Sequence, residues 1–197
     1  MMLLFAFILT ACGKEQTQPL DMDSETASIA AVSEDANEDE STEVASEEEY
    51  TFKEVVEGDA APEFTAPLVD GSTFTLSENK GKVILLNFWA TWCGPCVGEM
   101  PAFQDLDKEY GDEVAILAVN CIESKETVDR FLEETGYDFP IAYDEDGVVS
   151  FTYPSSGIPY TLVIGKDGIV QKIYVGAADA DTQYQIYKAA IDEALAK

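Results

Sequence analysis

The chain has 197 residues, four cysteines and no histidine, with 39 carboxylates against 11 lysines and arginines and a net charge of −28. So acidic a balance argues against nucleic-acid binding, which needs cations to neutralise phosphates. Without histidine, Ser-His-Asp triads and Cys-His nucleophilic pairs are also excluded.

In chain order, residues 1–11 (MMLLFAFILTA) are apolar and uncharged, too short to span a bilayer, and read as the apolar part of an export signal. No basic stretch precedes them. The run Leu9-Thr10-Ala11-Cys12 resembles a bacterial lipobox, which makes Cys12 the expected lipid-attachment site and new N-terminus. The alternative is a short buried segment with a chance cysteine. Residues 13–58 carry fifteen carboxylates against Lys14 and Lys53, and aromatics only at Tyr50 and Phe52. Such a segment buries too little apolar surface to offset its ordering entropy, so 12–58 is expected to be a disordered, self-repelling spacer ahead of a folded domain at 59–197.

Within that domain, residues 64–76 predict a hairpin turning at Asp70-Gly71. The continuous apolar run 83–90 predicts a strand covered on both faces. A helix is predicted from about Cys93 to Tyr110, with Val97, Met100, Phe103, Leu106 and Tyr110 at helical spacing and Pro101 expected to kink it. Residues 113–121 read as a second buried strand. Ser124 is placed to cap a helix that runs to Thr135, with Val128, Phe131, Leu132 and Thr135 on one face and Gly136 as terminator. A short strand at 139–142, a variable stretch to Gly157, a hairpin of 160–164 with 169–175, and a last helix at 181–196 complete the domain. That helix is expected to pack through Tyr184, Tyr187, Ile191 and Leu195. The crossover from 83 to 119 makes its two strands parallel neighbours ending on one sheet edge, which carries both Cys93 and Cys121.

The chemistry is concentrated in Trp92-Cys93-Gly94-Pro95-Cys96. A thiolate is the nucleophile in disulfide exchange. At a strand end and helix start, Cys93 meets unpaired backbone N–H groups and the positive end of the helix dipole, both of which favour the thiolate. Cys93 is thus the candidate attacking sulfur, and Cys96, one turn on, the candidate resolving one. Gly94 keeps the approach open, Pro95 loses nothing in a first helical turn, and Trp92 offers a flat apolar surface. Half of a zinc site is the weaker alternative: such a site usually needs four N/S ligands, and only Cys121 accompanies the pair in this domain. A structural disulfide would close too short a loop to add much stability. Neither metal nor cofactor is expected.

Together with Gly58-Asp59-Ala60-Ala61-Pro62-Glu63-Phe64, the strand 80–90, Glu99-Met100-Pro101 and the segment 157–168, this turn resembles the thioredoxin superfamily. Within it, the chain is most similar to the extracytoplasmic TlpA/ResA-like thiol–disulfide oxidoreductases, over roughly 58–197. The resemblance implies an α/β fold of thioredoxin type: a central mixed sheet flanked by helices, an N-terminal β-hairpin extension and a strand–helix insertion. It implies that Pro159 is a cis-proline facing the dithiol and that the backbone at Ile158 pairs with the substrate chain. The residue after that proline is commonly threonine in the family; Tyr160 stands here and is expected to reshape the groove.

Glu99 corresponds to the family glutamate that handles protons at the dithiol; the plain alternative is a solvated surface carboxylate. Asn87 stands where cytoplasmic thioredoxins carry a buried aspartate, which gives Glu99 more weight. Cys121 lies outside the family pattern and is either a small buried hydrophobe or a third redox thiol. The resemblance further implies a monomeric, lipid-anchored disulfide reductase on the extracytoplasmic face of the bacterial membrane. Its substrates would be exported disulfide-containing proteins such as apocytochrome c, and its electron donor a membrane thiol transporter of CcdA/DsbD type. A disulfide oxidase or isomerase, a peroxiredoxin-type thiol peroxidase and a redox-inert binding module are the alternatives.

Overall fold

The structure, a computed structural model, describes residues 53–197. The expected export signal, Cys12 and residues 13–52 of the acidic segment lie outside the described residues.

The expected hairpin is formed by β1 (Thr65–Pro67) and β2 (Thr73–Thr75), paired antiparallel with Ala66 opposite Phe74. Its turn closes where the Asp70 carboxylate accepts the Ser72 N–H at 2.8 Å, and Gly71 takes a φ of 87° that costs a residue without Cβ nothing. β3 (Val83–Trp89) follows with all seven residues buried. After it come α1 (Gly94–Tyr110), β4 (Val114–Cys121), α2 (Lys125–Thr135), β5 (Ile141–Asp144), α3 (Val148–Thr152), β6 (Tyr160–Ile164), β7 (Val170–Val175) and α4 (Ala180–Leu195).

The main sheet has the order β5-β4-β3-β6-β7. β3 runs parallel to β4 and β4 to β5, whereas β6 is antiparallel to both β3 and β7. This is the mixed sheet of the thioredoxin-like fold, with β5 and α3 as the strand–helix insertion between α2 and β6. Alternation along β3 splits the core in two. Val83, Leu85 and Trp89 face the layer containing α1 and α4, while Ile84, Leu86 and Phe88 face the hairpin, α3 and Tyr153. Each fully covered leucine, such as Leu85 or Leu86, contributes about 1.5–3 kcal/mol.

Several expectations shift. Residues 53–58, assigned above to the spacer, join the domain: Val55 is buried, Gly58 N–H donates to Val170 O at 2.8 Å, and Val170 N–H donates to Asp59 O at 2.9 Å. β7 offers an open edge there, and pairing satisfies its backbone groups. The variable stretch contains α3, five residues long and thus too short for a periodicity signal. It is seeded by the Asp144 carboxylate, which accepts the N–H groups of Val149 (2.9 Å) and Ser150 (2.7 Å). β5 begins at Ile141 rather than 139, and Thr135 is exposed. The Ser124 cap and the Gly136 terminator, with φ 74°, stand where expected.

Candidate active site

β3 delivers the chain to the sheet edge, and the turn after it hands Cys93 to the start of α1. Cys93 is the N-cap: its Sγ accepts the Cys96 N–H at 3.3 Å, and no acidic side chain stands in the first turn of the helix. An N-capping sulfur takes the place of a capping oxygen and sits at the positive end of the dipole, which stabilises negative charge on it. Cys93 and Cys96 form a disulfide with Cα atoms 5.2 Å apart. Cys93 keeps 6% of its surface exposed and Cys96 none, so a partner arriving from solvent reaches only Cys93. Pro95 lies in the first turn, and α1 runs on through the exposed Pro101.

The Ile158–Pro159 peptide bond is cis, and the Ile158 carbonyl oxygen stands 3.8 Å from Cys93 Sγ. β6 pairing with β3 brings the loop to this position from 65 residues away. Trp92 is 73% exposed on the same rim. Tyr160 does not reshape this groove. It is buried on the opposite sheet face, stacked at 5.9 Å on Phe88, because strand alternation turns the residue after Pro159 away from α1.

Glu99, one turn beyond Cys96, is fully buried rather than a solvated surface carboxylate. Asn87 Nδ2 donates to its Oε1 at 3.0 Å and the Tyr187 hydroxyl donates to its Oε2 at 2.8 Å. Thr161 Oγ1 closes the network, 2.8 Å from Asn87 Nδ2 and 2.9 Å from the Tyr187 hydroxyl. Burial pushes the Glu99 carboxyl up to about 7, partly opposed by the bonds from Tyr187 and Asn87. A buried carboxyl with that affinity can take or give a proton near neutral pH.

Sequence reasoning missed part of this arrangement. Spacing assigns Tyr187 to core packing and does not single out Thr161; only the packing of α4 against α1 brings Tyr187 to Glu99, and only the pairing of β6 with β3 brings Thr161 to Asn87. Glu123 was also missed. Its carboxylate accepts the Thr91 N–H at 2.7 Å, the Thr91 hydroxyl at 2.6 Å and Asn120 Nδ2 at 2.8 Å, tying the end of β4 to the turn that carries Cys93. Cys121 is half-buried behind that turn, and burial together with the nearby Asp144 charge pushes its thiol up to about 11. It is therefore protonated at neutral pH and a poor nucleophile. Among the described residues no cluster of three or more acidic or cysteine side chains is arranged to hold a metal.

A model described as the AhpC/TSA family matches residues 57–173. The thioredoxin-like protein YneN of Bacillus subtilis is 41% identical over 132 residues, which is 64% of this chain and 77% of that protein. The thiol-disulfide oxidoreductase ResA of Oceanobacillus iheyensis is 42% identical over 129 residues, covering 63% of this chain and 67% of that one. Among solved structures, the pneumococcal exposed lipoprotein thioredoxin Etrx1 of Streptococcus pneumoniae superimposes with a TM-score of 0.54 at 31% identity, over 65% of this chain and 99% of that one.

Proposed function

Because the chain belongs to the AhpC/TSA family and is a thiol–disulfide oxidoreductase of ResA type, we propose that it works in the reducing direction on disulfides of exported proteins. The observation that carries the reading is Cys93 as sulfur cap of α1 with Cys96 hidden beneath it. In the reduced form the Cys93 thiolate attacks one sulfur of a substrate disulfide. A Cys93–substrate disulfide forms, and the other substrate sulfur leaves as thiolate. Cys96 then loses its proton, with Glu99 as the acceptor one turn along the helix, and attacks the Cys93 sulfur. The Cys93–Cys96 disulfide forms and the second substrate sulfur departs. Two electrons pass to the substrate, which takes up two protons to become a dithiol. Ile158 offers its backbone to the substrate chain, and Trp92 offers an apolar wall.

The Gly94-Pro95 pair is that of reducing thioredoxins, whose potential is roughly −270 mV, against about −120 mV for the oxidant DsbA. A lipid anchor at Cys12 would hold the domain, as a monomer, at the extracytoplasmic face of the membrane. The Leu9-Thr10-Ala11-Cys12 run and the likeness to an exposed lipoprotein thioredoxin support this. A membrane thiol transporter of CcdA/DsbD type would return the electrons, and apocytochrome c is the substrate proposed first. The test is trapping in cells with Cys96→Ser: exported proteins bound through Cys93 are expected. A measured potential near that of DsbA would reverse the proposed direction, and Cys93-dependent peroxide consumption would favour a thiol peroxidase.

A further inference from the structure

We propose that the cavity behind Ile158 is a subsite for an aromatic or branched aliphatic side chain of the substrate polypeptide, next to the cysteine that Cys93 attacks. This rests on the disulfide-exchange reading and adds a side-chain preference to it.

The cavity measures about 350 Å³, at the small end of ligand pockets, and its walls include Phe88, Cys121, Phe151, Tyr153 and Ile158. It is distinct from the Glu99 network. Phe88 and Tyr153 belong to the core layer on the other face of the sheet, against which Cys121 packs, away from α1. The Cys121 thiol remains protonated at neutral pH, so the lining carries no charge. Ile158 connects it to the chemistry, since the residue whose carbonyl oxygen stands 3.8 Å from Cys93 Sγ also forms the cavity wall. A polypeptide bonded to Cys93 must cross Ile158. In an extended chain, side chains alternate between faces, so the residues around the reacting cysteine present side chains on both faces as the chain passes this opening.

The rim carries a second indication. Ile122 has a φ of 56°, a left-handed conformation that β-branched residues rarely adopt, and its side chain is 57% exposed. Phe151 is 52% exposed beside it. Both rest over Gly147: a Cβ there would lie 2.8 Å from Phe151 Cε2 and 3.2 Å from Ile122 Cγ1. Glycine would occupy that backbone conformation without strain, so Ile122 accepts a backbone cost for a side chain that packs only partly, over Gly147, and leaves more than half of its surface exposed. The strain is held by Ile122 N–H bonding to Asp144 O at 3.0 Å and by the next residue, Glu123, bound to Thr91. An apolar side chain kept exposed at a conformational cost, one residue after Cys121 and over Gly147 together with Phe151 of the cavity wall, points to contact with substrate. Glu145 and Asp146, exposed in the turn before α3, favour neutral or basic residues around that side chain.

The test uses the full chain, fully reduced, and synthetic peptides with one intramolecular disulfide. Phenylalanine is placed in turn at the two positions before and the two after one cysteine, with glycine elsewhere. One position is expected to raise kcat/KM about tenfold over the all-glycine peptide. Ile122→Gly and Phe151→Ser are each expected to cut that preference to about twofold while the all-glycine peptide is reduced as before. Ile122→Gly is also expected to unfold within about 5 °C of the unsubstituted chain, because relief of the positive φ offsets the lost contact and the freer unfolded chain, which separates its effect from loss of fold. Equal rates for every peptide, or a preference that survives both variants, would overturn the subsite. A dimer that dissociates in Phe151→Ser, with peptide preference unchanged, would give the cavity to a second copy and overturn it too. Failure to reduce even the all-glycine peptide would overturn the disulfide-exchange reading, and the subsite with it.

Discussion

Replacing Glu99 by glutamine removes a titratable group from a fully buried network while keeping its shape. The amide can still accept from Asn87 through Oε1, and its Nε2 can face the Tyr187 hydroxyl, which retains Thr161 as acceptor. Burial lifts the Glu99 carboxyl from 4.5 to about 7, so the folded chain holds this proton more tightly than the unfolded chain does. The stability that the proton confers is complete below about pH 4.5 and lost as pH rises through about 7. The interval corresponds to roughly 3 kcal/mol. Urea unfolding of the oxidised protein and of Glu99→Gln, from pH 4.5 to pH 8, measures it directly. The variant's stability relative to the unsubstituted chain is expected to rise by about 3 kcal/mol across that range. Other carboxylates titrate equally in both proteins and cancel in the difference. Curves that stay parallel within about 0.5 kcal/mol would show that Glu99 does not hold its proton into the neutral range, and its place as proton acceptor for Cys96 would fall with it.

Tyr187→Phe deletes the hydroxyl that bonds Glu99 and Thr161 and is expected to cost about 1–2 kcal/mol. Because that bond lowers the Glu99 carboxyl, its loss should move the pH-dependent fall in stability to higher pH, which the same urea series reads out. Cys121→Ser is expected to leave the reduction potential within about 10 mV, since a thiol near 11 contributes no thiolate at neutral pH. A larger displacement in a glutathione redox titration would restore the third-thiol reading. Val55→Ala is expected to cost about 2 kcal/mol by calorimetry, and a negligible cost would return residues 53–58 to the spacer.

Much of this protein was legible without coordinates, and the reason is locality. An apolar run of strand length, a dithiol of helical spacing after it, Ser124 and Gly136 at the ends of α2, and Asp70-Gly71 in a turn all act within a few residues of themselves. The pairing of β3 with β4 could be read too, since a strand–helix–strand crossover leaves little choice of handedness or neighbour. Other features depended on contacts between segments distant in sequence. Whether Glu99 faced solvent or the core was settled by α4, which brings Tyr187 against it from 88 residues away. Glu123 became a clamp on Thr91 only once β4 lay beside β3. Cys121 was left open until the burial around it and the Asp144 charge kept its proton in place. Local spacing tells a residue which face of its own element it occupies; what waits on that face, and hence the charge it can bear, is decided by which other element packs there.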